Sequence, residues 1–129
     1  MKIHHVALSV HNIDRSIDWY KNNLGFQLET KYEKHNLTIA HLVLGDARVE
    51  LFSSADSKPL PQDRQTLKSD LRVIGTKHVC FEVDDIQGLV NTLKTRGVDF
   101  ETETDTAGFG GKYVFIKDLD GILIELYQK

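Results

Sequence analysis

Two stretches of this chain, 73 residues apart, carry one pattern, and that duplication narrows the possible folds more than any other feature. Ile3-His4-His5-Val6-Ala7-Leu8-Ser9-Val10 aligns with Thr76-Lys77-His78-Val79-Cys80-Phe81-Glu82-Val83: histidine, Val, small, large apolar, polar, Val. His11-Asn12-Ile13-Asp14 then answers to Asp84-Asp85-Ile86-Gln87. Both copies close alike, on Val49-Glu50-Leu51-Phe52 and Ile124-Glu125-Leu126-Tyr127.

Between these ends each copy offers one helical stripe and three strand-like segments. Ile13, Ile17, Trp19-Tyr20 and Leu24 recur at helical spacing, as do Ile86, Leu89-Val90 and Leu93. Asn12 and Asp85 stand at N-cap positions, and Gly25 and Gly97 stand where the stripes stop. Strands are expected at 26–32, 37–44 and 47–52, and again at 98–102, 112–116 and 122–127. Each half reads β-α-β-β-β. The expected class is α+β, with two tandem βαβββ modules forming cupped mixed sheets. Module one is 1–53 and module two 75–129, within one domain. The polar stretch 54–74, with Pro59 and Pro61, is expected to be a linker or a flap over an active site.

Strand alternation then assigns faces. His4, Val6, Leu8 and Val10 share one face and His5, Ala7, Ser9 and His11 the other. In the second copy His78, Cys80 and Glu82 lie opposite Lys77, Val79, Phe81 and Val83. On the closing strands Glu50 and Glu125 fall on the side away from Val49 and Leu51, and from Ile124 and Leu126. Each half thus gives one His and one Glu to its non-helix face, separated by 45 residues in one copy and 47 in the other. A lone strand His or Glu is ordinarily solvated. The recurrence of the same pair in both modules points instead to a shared job. A carboxylate on an inner sheet face is costly without a partner, and metal coordination is one way to satisfy it. Two imidazoles and two carboxylates suit one divalent ion such as Ni, Co, Zn, Mn or Fe, so the expected ligands are His5, Glu50, His78 and Glu125.

Other residues read more plainly. Arg48 and Lys112 are expected at the solvated surface, Phe52 and Tyr127 in the cavity lining or the packing, and Cys80 as a small filler. Trp19 and Tyr20 read as helix core. His4, His11, His35 and His41 have no counterpart in the other half and are taken as non-ligands. The net charge of −3, with no basic block, argues against nucleic acid or an anionic membrane as a partner. A single cysteine among 129 residues, no apolar leader and no long apolar run lead to the expectation of a cytoplasmic protein.

These residues resemble the vicinal oxygen chelate superfamily, which includes glyoxalase I, methylmalonyl-CoA epimerase, extradiol dioxygenases, and fosfomycin and bleomycin resistance proteins. The likeness spans essentially the whole chain. Its carriers are His5 with Val6-Ala7-Leu8-Ser9-Val10, the run Ser16-Ile17-Asp18-Trp19-Tyr20 leading to Leu24-Gly25-Phe26, the segment 78–85, and Asp118-Leu119-Asp120-Gly121-Ile122-Leu123-Ile124-Glu125-Leu126. The resemblance implies a single vicinal oxygen chelate domain over 1–129 that cups one divalent metal ion per site, and a homodimer in glyoxalase I-like members. The His-Glu-His-Glu set is most similar to bacterial glyoxalase I, which favours Ni or Co, then Zn. Epimerases usually carry Gln at the position of Glu50, and bleomycin-binding members generally lack the ligands. Bacterial glyoxalase I usually has, at the position of Ser9, an Arg that helps hold the glutathione carboxylate. The implied activity is a glyoxalase I-like lyase or isomerase of the lactoylglutathione lyase type. It would act on a small α-oxygenated substrate, such as a thiol adduct, through a metal-stabilised enediolate, with Glu125 as base and Glu50 as its partner. The alternatives are an epimerase of the same superfamily or a non-catalytic protein that sequesters a drug or metabolite.

Overall fold

A computed structural model describes residues 1–129, which divide into two compact units, Met1–Pro59 and Leu60–Lys129. In the first unit β1 (Val6–Ser9) leads into α1 (Ile13–Leu24), then β2 (Gln27–Lys34), β3 (Leu37–Leu44) and β4 (Ala47–Ser53). The strands form one sheet in the order β1-β4-β3-β2, with β1 parallel to β4 and the remaining pairs antiparallel. The second unit begins with a 3-10 turn, Gln62–Arg64, and a single-turn helix α2 (Leu67–Asp70). It continues as β5 (Val79–Glu82), α3 (Ile86–Thr95), the two-residue strands β6 (Asp99–Phe100) and β7 (Asp105–Thr106), β8 (Lys112–Lys117) and β9 (Leu123–Gln128). Its sheet runs β5-β9-β8-β6, with β7 also on β8 and β5 parallel to β9. The α+β class and the mixed sheets expected from the duplication are present. No helix is long and apolar enough to cross a membrane.

The helices start and stop for identifiable reasons. The Asn12 side chain accepts the Arg15 N–H at 3.1 Å, and the Asp85 side chain accepts the Gly88 N–H at 3.0 Å, so both caps occupy corresponding places. Gly25 closes α1 in the left-handed region, where a side chain would be strained. The α1 stripe buries Ile13, Ile17 and Tyr20, and the α3 stripe buries Ile86, Val90 and Leu93. Trp19 is only half-buried and meets Tyr20 edge-on. On the sheets Leu42, Val49 and Leu51 in one unit, and Val114, Ile116, Ile124 and Leu126 in the other, lose essentially all contact with water. Each such side chain contributes about 1.5–3 kcal/mol through burial.

Two expectations are revised. The segment 98–102 is not one strand. The N–H groups of Glu101 and Thr102 both reach the Phe115 carbonyl, at 2.9 and 3.3 Å, so the chain leaves the ladder after Phe100. The second strand runs on to Lys34 and turns at His35 and Asn36, both at positive φ (52° and 62°), which suits the hairpin twist.

Residues 60–74 belong to the second unit and are fixed by buried charge. Asp70 is 1% exposed and takes the Arg64 Nε–H at 2.8 Å, with Lys77 Nζ 3.5 Å away. Lys77 also donates to the carbonyls of Asp70 and Val73, and Arg64 to that of Thr76. Glu101 accepts the Leu67 N–H at 2.7 Å and pairs with Lys117 at 2.7 Å. Burial pushes the Glu101 carboxyl up, but the Lys117 and Leu67 hydrogen bonds and the Lys117 charge outweigh it and hold the group below its ordinary value.

Asp70→Ala leaves Arg64 and Lys77 without their shared anion and should lower stability by about 2–3 kcal/mol, read by urea denaturation. The lowered Glu101 pKa makes its contribution full above the ordinary carboxylate range of about 4.3 and lost as pH falls through the depressed value. Glu101→Gln should therefore narrow the stability gap between pH 7 and pH 3 in paired thermal melts. An unchanged gap would count against this role.

Candidate metal centre

The two hairpins that end in β4 and β9 set the site. The tight Gly45-Asp46 turn pairs Leu44 with Ala47, and that register brings His41 opposite Glu50. In the second unit Phe115 lies opposite Glu125 by the same logic. On the other side β1 places Ala7 beside Glu50, and β5 places Cys80 beside Glu125. His5 and His78 each precede their strand by one residue.

The predicted pairs are formed. His5 Nε2 lies 3.2 Å from Glu50 Oε2, and His78 Nε2 lies 3.0 Å from Glu125 Oε2. The two carboxylates are mostly covered, at 13% and 16% exposed. Two donors bound to one cation at about 2.1 Å are about 3.0–3.4 Å apart at right-angled or tetrahedral geometry, so each pair fits two adjacent corners of a coordination sphere. The donor chemistry fits as well. His5 has the outer partner a ligating histidine normally needs, since its Nδ1 is 2.8 Å from His4 Nδ1. His78 does not: its Nδ1 is buried and unpartnered, and its ring stands edge-on to Phe115 at 4.8 Å.

Sequence reasoning missed His41. Its Nε2 lies 3.1 Å from Glu50 Oε1, so two imidazoles grip opposite oxygens of one carboxylate. The signal was available in the Gly45-Asp46 turn, which fixes the register, but a search for counterparts in the other half passes over a residue that has none. His4, also set aside, is the neighbour of His5.

The remaining candidates are accounted for. Arg48 spends its charge on Glu29, as a surface pair. Lys112 is exposed. Tyr127 donates to the Gly110 carbonyl at 2.9 Å and packs against Phe109, while Phe52 is half-buried. Cys80 is not a buried filler; part of it is open to solvent. Its thiol is nonetheless pushed up to about 12, first by partial burial and then by the charge of Glu125, a hydrogen bond to Glu125 and the charge of Glu82. A thiol held there stays protonated at neutral pH and serves as a weak donor, not a nucleophile.

The family model for the Glyoxalase/Bleomycin resistance protein/Dioxygenase superfamily matches residues 2–126. A mitochondrial methylmalonyl-CoA epimerase of Dictyostelium discoideum is 32% identical over 99% of this chain and 78% of its own length. A lactoylglutathione lyase of Neisseria meningitidis is 29% identical over 100% of this chain and 91% of its own length. Among solved structures, a glyoxalase family protein from Enterococcus faecalis superposes with a TM-score of 0.82 at 26% identity, covering 98% of this chain and 96% of that one.

The raised Cys80 pKa makes the thiolate scarce at any pH well below 12. In metal-free protein at pH 8, iodoacetamide should alkylate Cys80 at least about tenfold more slowly than an unhindered cysteine. Modification at the free-thiol rate would contradict the raised pKa and the partial burial that is its first cause.

Proposed function

For a chain that belongs to the Glyoxalase/Bleomycin resistance protein/Dioxygenase superfamily, we propose a metal-dependent enzyme that moves a proton at a carbon beside a carbonyl, with His5, Glu50, His78 and Glu125 as its ligands. The observation that carries this reading is the His–Glu contact made at equivalent positions in both units. A bound divalent cation, with Ni or Co first and Zn, Mn or Fe as the other candidates, supplies Lewis-acid polarisation of two neighbouring substrate oxygens.

The chain's own residues do the rest. Glu125 is the base. Its carboxylate is mostly covered, its Oε2 meets His78 Nε2, and its neighbours on the adjoining strands are a weak thiol donor and a phenyl ring. It takes the proton from the carbon and returns it to the adjacent carbon, leaving the elements of the substrate unchanged. Glu50, gripped by His5 and His41, serves as the opposing carboxylate. Leu123 on β9 is buried and helps keep water from the strand that carries the base.

The first substrate reading is a 1,2-proton shift of the lactoylglutathione lyase type. It is supported by a carboxylate at position 50 and by the Neisseria relative, which matches nearly end to end. The second is epimerisation of an acyl thioester, supported by the 32% identity to the Dictyostelium epimerase. Ser9, which offers no charge to a glutathione carboxylate, favours assaying thiols beyond glutathione in the first case.

Elemental analysis of the purified protein joined to two assays separates these readings: the methylglyoxal adducts of glutathione and smaller thiols, and methylmalonyl-CoA. A protein without bound metal that Ni, Co, Zn and Mn all fail to activate would replace the enzymatic reading with sequestration of a small molecule. Sedimentation with metal-per-chain stoichiometry tests the homodimer. Glu125→Gln should lower kcat at least about 100-fold while metal content falls far less. Equal loss of both would remove Glu125 from the role of base.

A further inference from the structure

The two units differ at the position directly across the hairpin from the glutamate. His41 and Phe115 occupy the same place, each directly across its hairpin from the glutamate. Against Glu125 that neighbour is apolar; against Glu50 it is an imidazole whose Nε2 is 3.1 Å from Oε1. His41 is mostly covered, with Tyr32 stacked parallel to its ring and His5 edge-on at 6.0 Å. Its Nδ1 is buried without a partner, so Nε2 is its one working polar end, and that end is aimed at Glu50.

We propose that His41 is a positioning residue that donates its Nε2–H to Glu50 Oε1 and so fixes Glu50 as a ligand through Oε2, leaving Glu125 as the single carboxylate free to carry the proton. The proposal rests on the metal reading given above. Oε2 is the oxygen already turned to His5, the predicted ligand, so one hydrogen bond settles both the rotamer of Glu50 and which oxygen is presented. No comparable clamp exists on Glu125, whose other close donor is the Cys80 thiol, a much weaker one than an imidazole N–H. The duplicated His–Glu sets are therefore chemically unequal, one carboxylate meeting two imidazoles and the other a single one. That inequality assigns the proton transfer to Glu125 and not to Glu50.

The test is Co(II) titration of metal-free protein, followed by the visible d–d spectrum and the affinity, for wild type, His41→Phe and His41→Gln. His41→Phe copies the Phe115 arrangement; His41→Gln keeps an N–H donor near the same place. His41→Phe should weaken Co(II) binding about 10–100-fold and change the spectrum as Glu50 turns. His41→Gln should recover most of both, which a merely structural loss would not allow, and a matching thermal melt for each variant separates misfolding from mispositioning. Wild-type affinity and spectrum in His41→Phe would overturn this assignment alone. A wild-type protein that takes up no Co(II) would overturn the metal reading and this assignment together.

Discussion

A carboxylate set into a sheet strand between buried aliphatic neighbours must be answered by a cation or a donor, and Glu50 and Glu125 both stand in that position. Val49 and Leu51 flank one, Ile124 and Leu126 the other, and all four aliphatic side chains are essentially out of water. The glutamates cannot turn to the helix side without displacing them. They are held on the opposite face, where His5 and His78 arrive from just ahead of the parallel strand next door. The parallel pairings β1–β4 and β5–β9 are therefore what make each His–Glu pair, because they bring residues 45 and 47 positions apart in sequence side by side.

Duplication supplied the frame and local substitution broke its symmetry. The small residue beside the glutamate is Ala7 in one unit and Cys80 in the other; the cross-strand neighbour is His41 in one and Phe115 in the other. Neither change disturbs the ladder, since all four types are accepted in strands. Both change the electrostatics around one carboxylate. Glu50 has two imidazoles, and Glu125 has one imidazole, a protonated thiol and a phenylalanine as its cross-strand neighbour. A single fold module can thus surround one acid with two imidazoles and the other with one while keeping the same strand pairing at the glutamate.

The segment between the repeats illustrates a different rule. Its prolines and polar composition suggested a linker or flap, yet Asp70 within it is almost wholly buried against Arg64 and Lys77. Composition reports the average character of a stretch, whereas a single buried carboxylate with two cationic partners can anchor one turn of helix. Lys77 immediately precedes His78, so the anchor also steadies the approach to β5.

Sequence alone determined the repeat, the helix caps at Asn12 and Asp85, the apolar faces of α1, α3 and the central strands, and the four residues of the two His–Glu pairs. All of these follow from short-range periodicity or from comparing one half with the other. The break after Phe100, the anchoring of residues 60–74 and the grip of His41 on Glu50 were decided by tertiary structure. Each depends on one group meeting another across strands: the Phe115 carbonyl taking two N–H groups, Asp70 finding two cations, one imidazole lying opposite one carboxylate. Periodicity tells which face a side chain takes; only the packed sheet tells which atom it meets there.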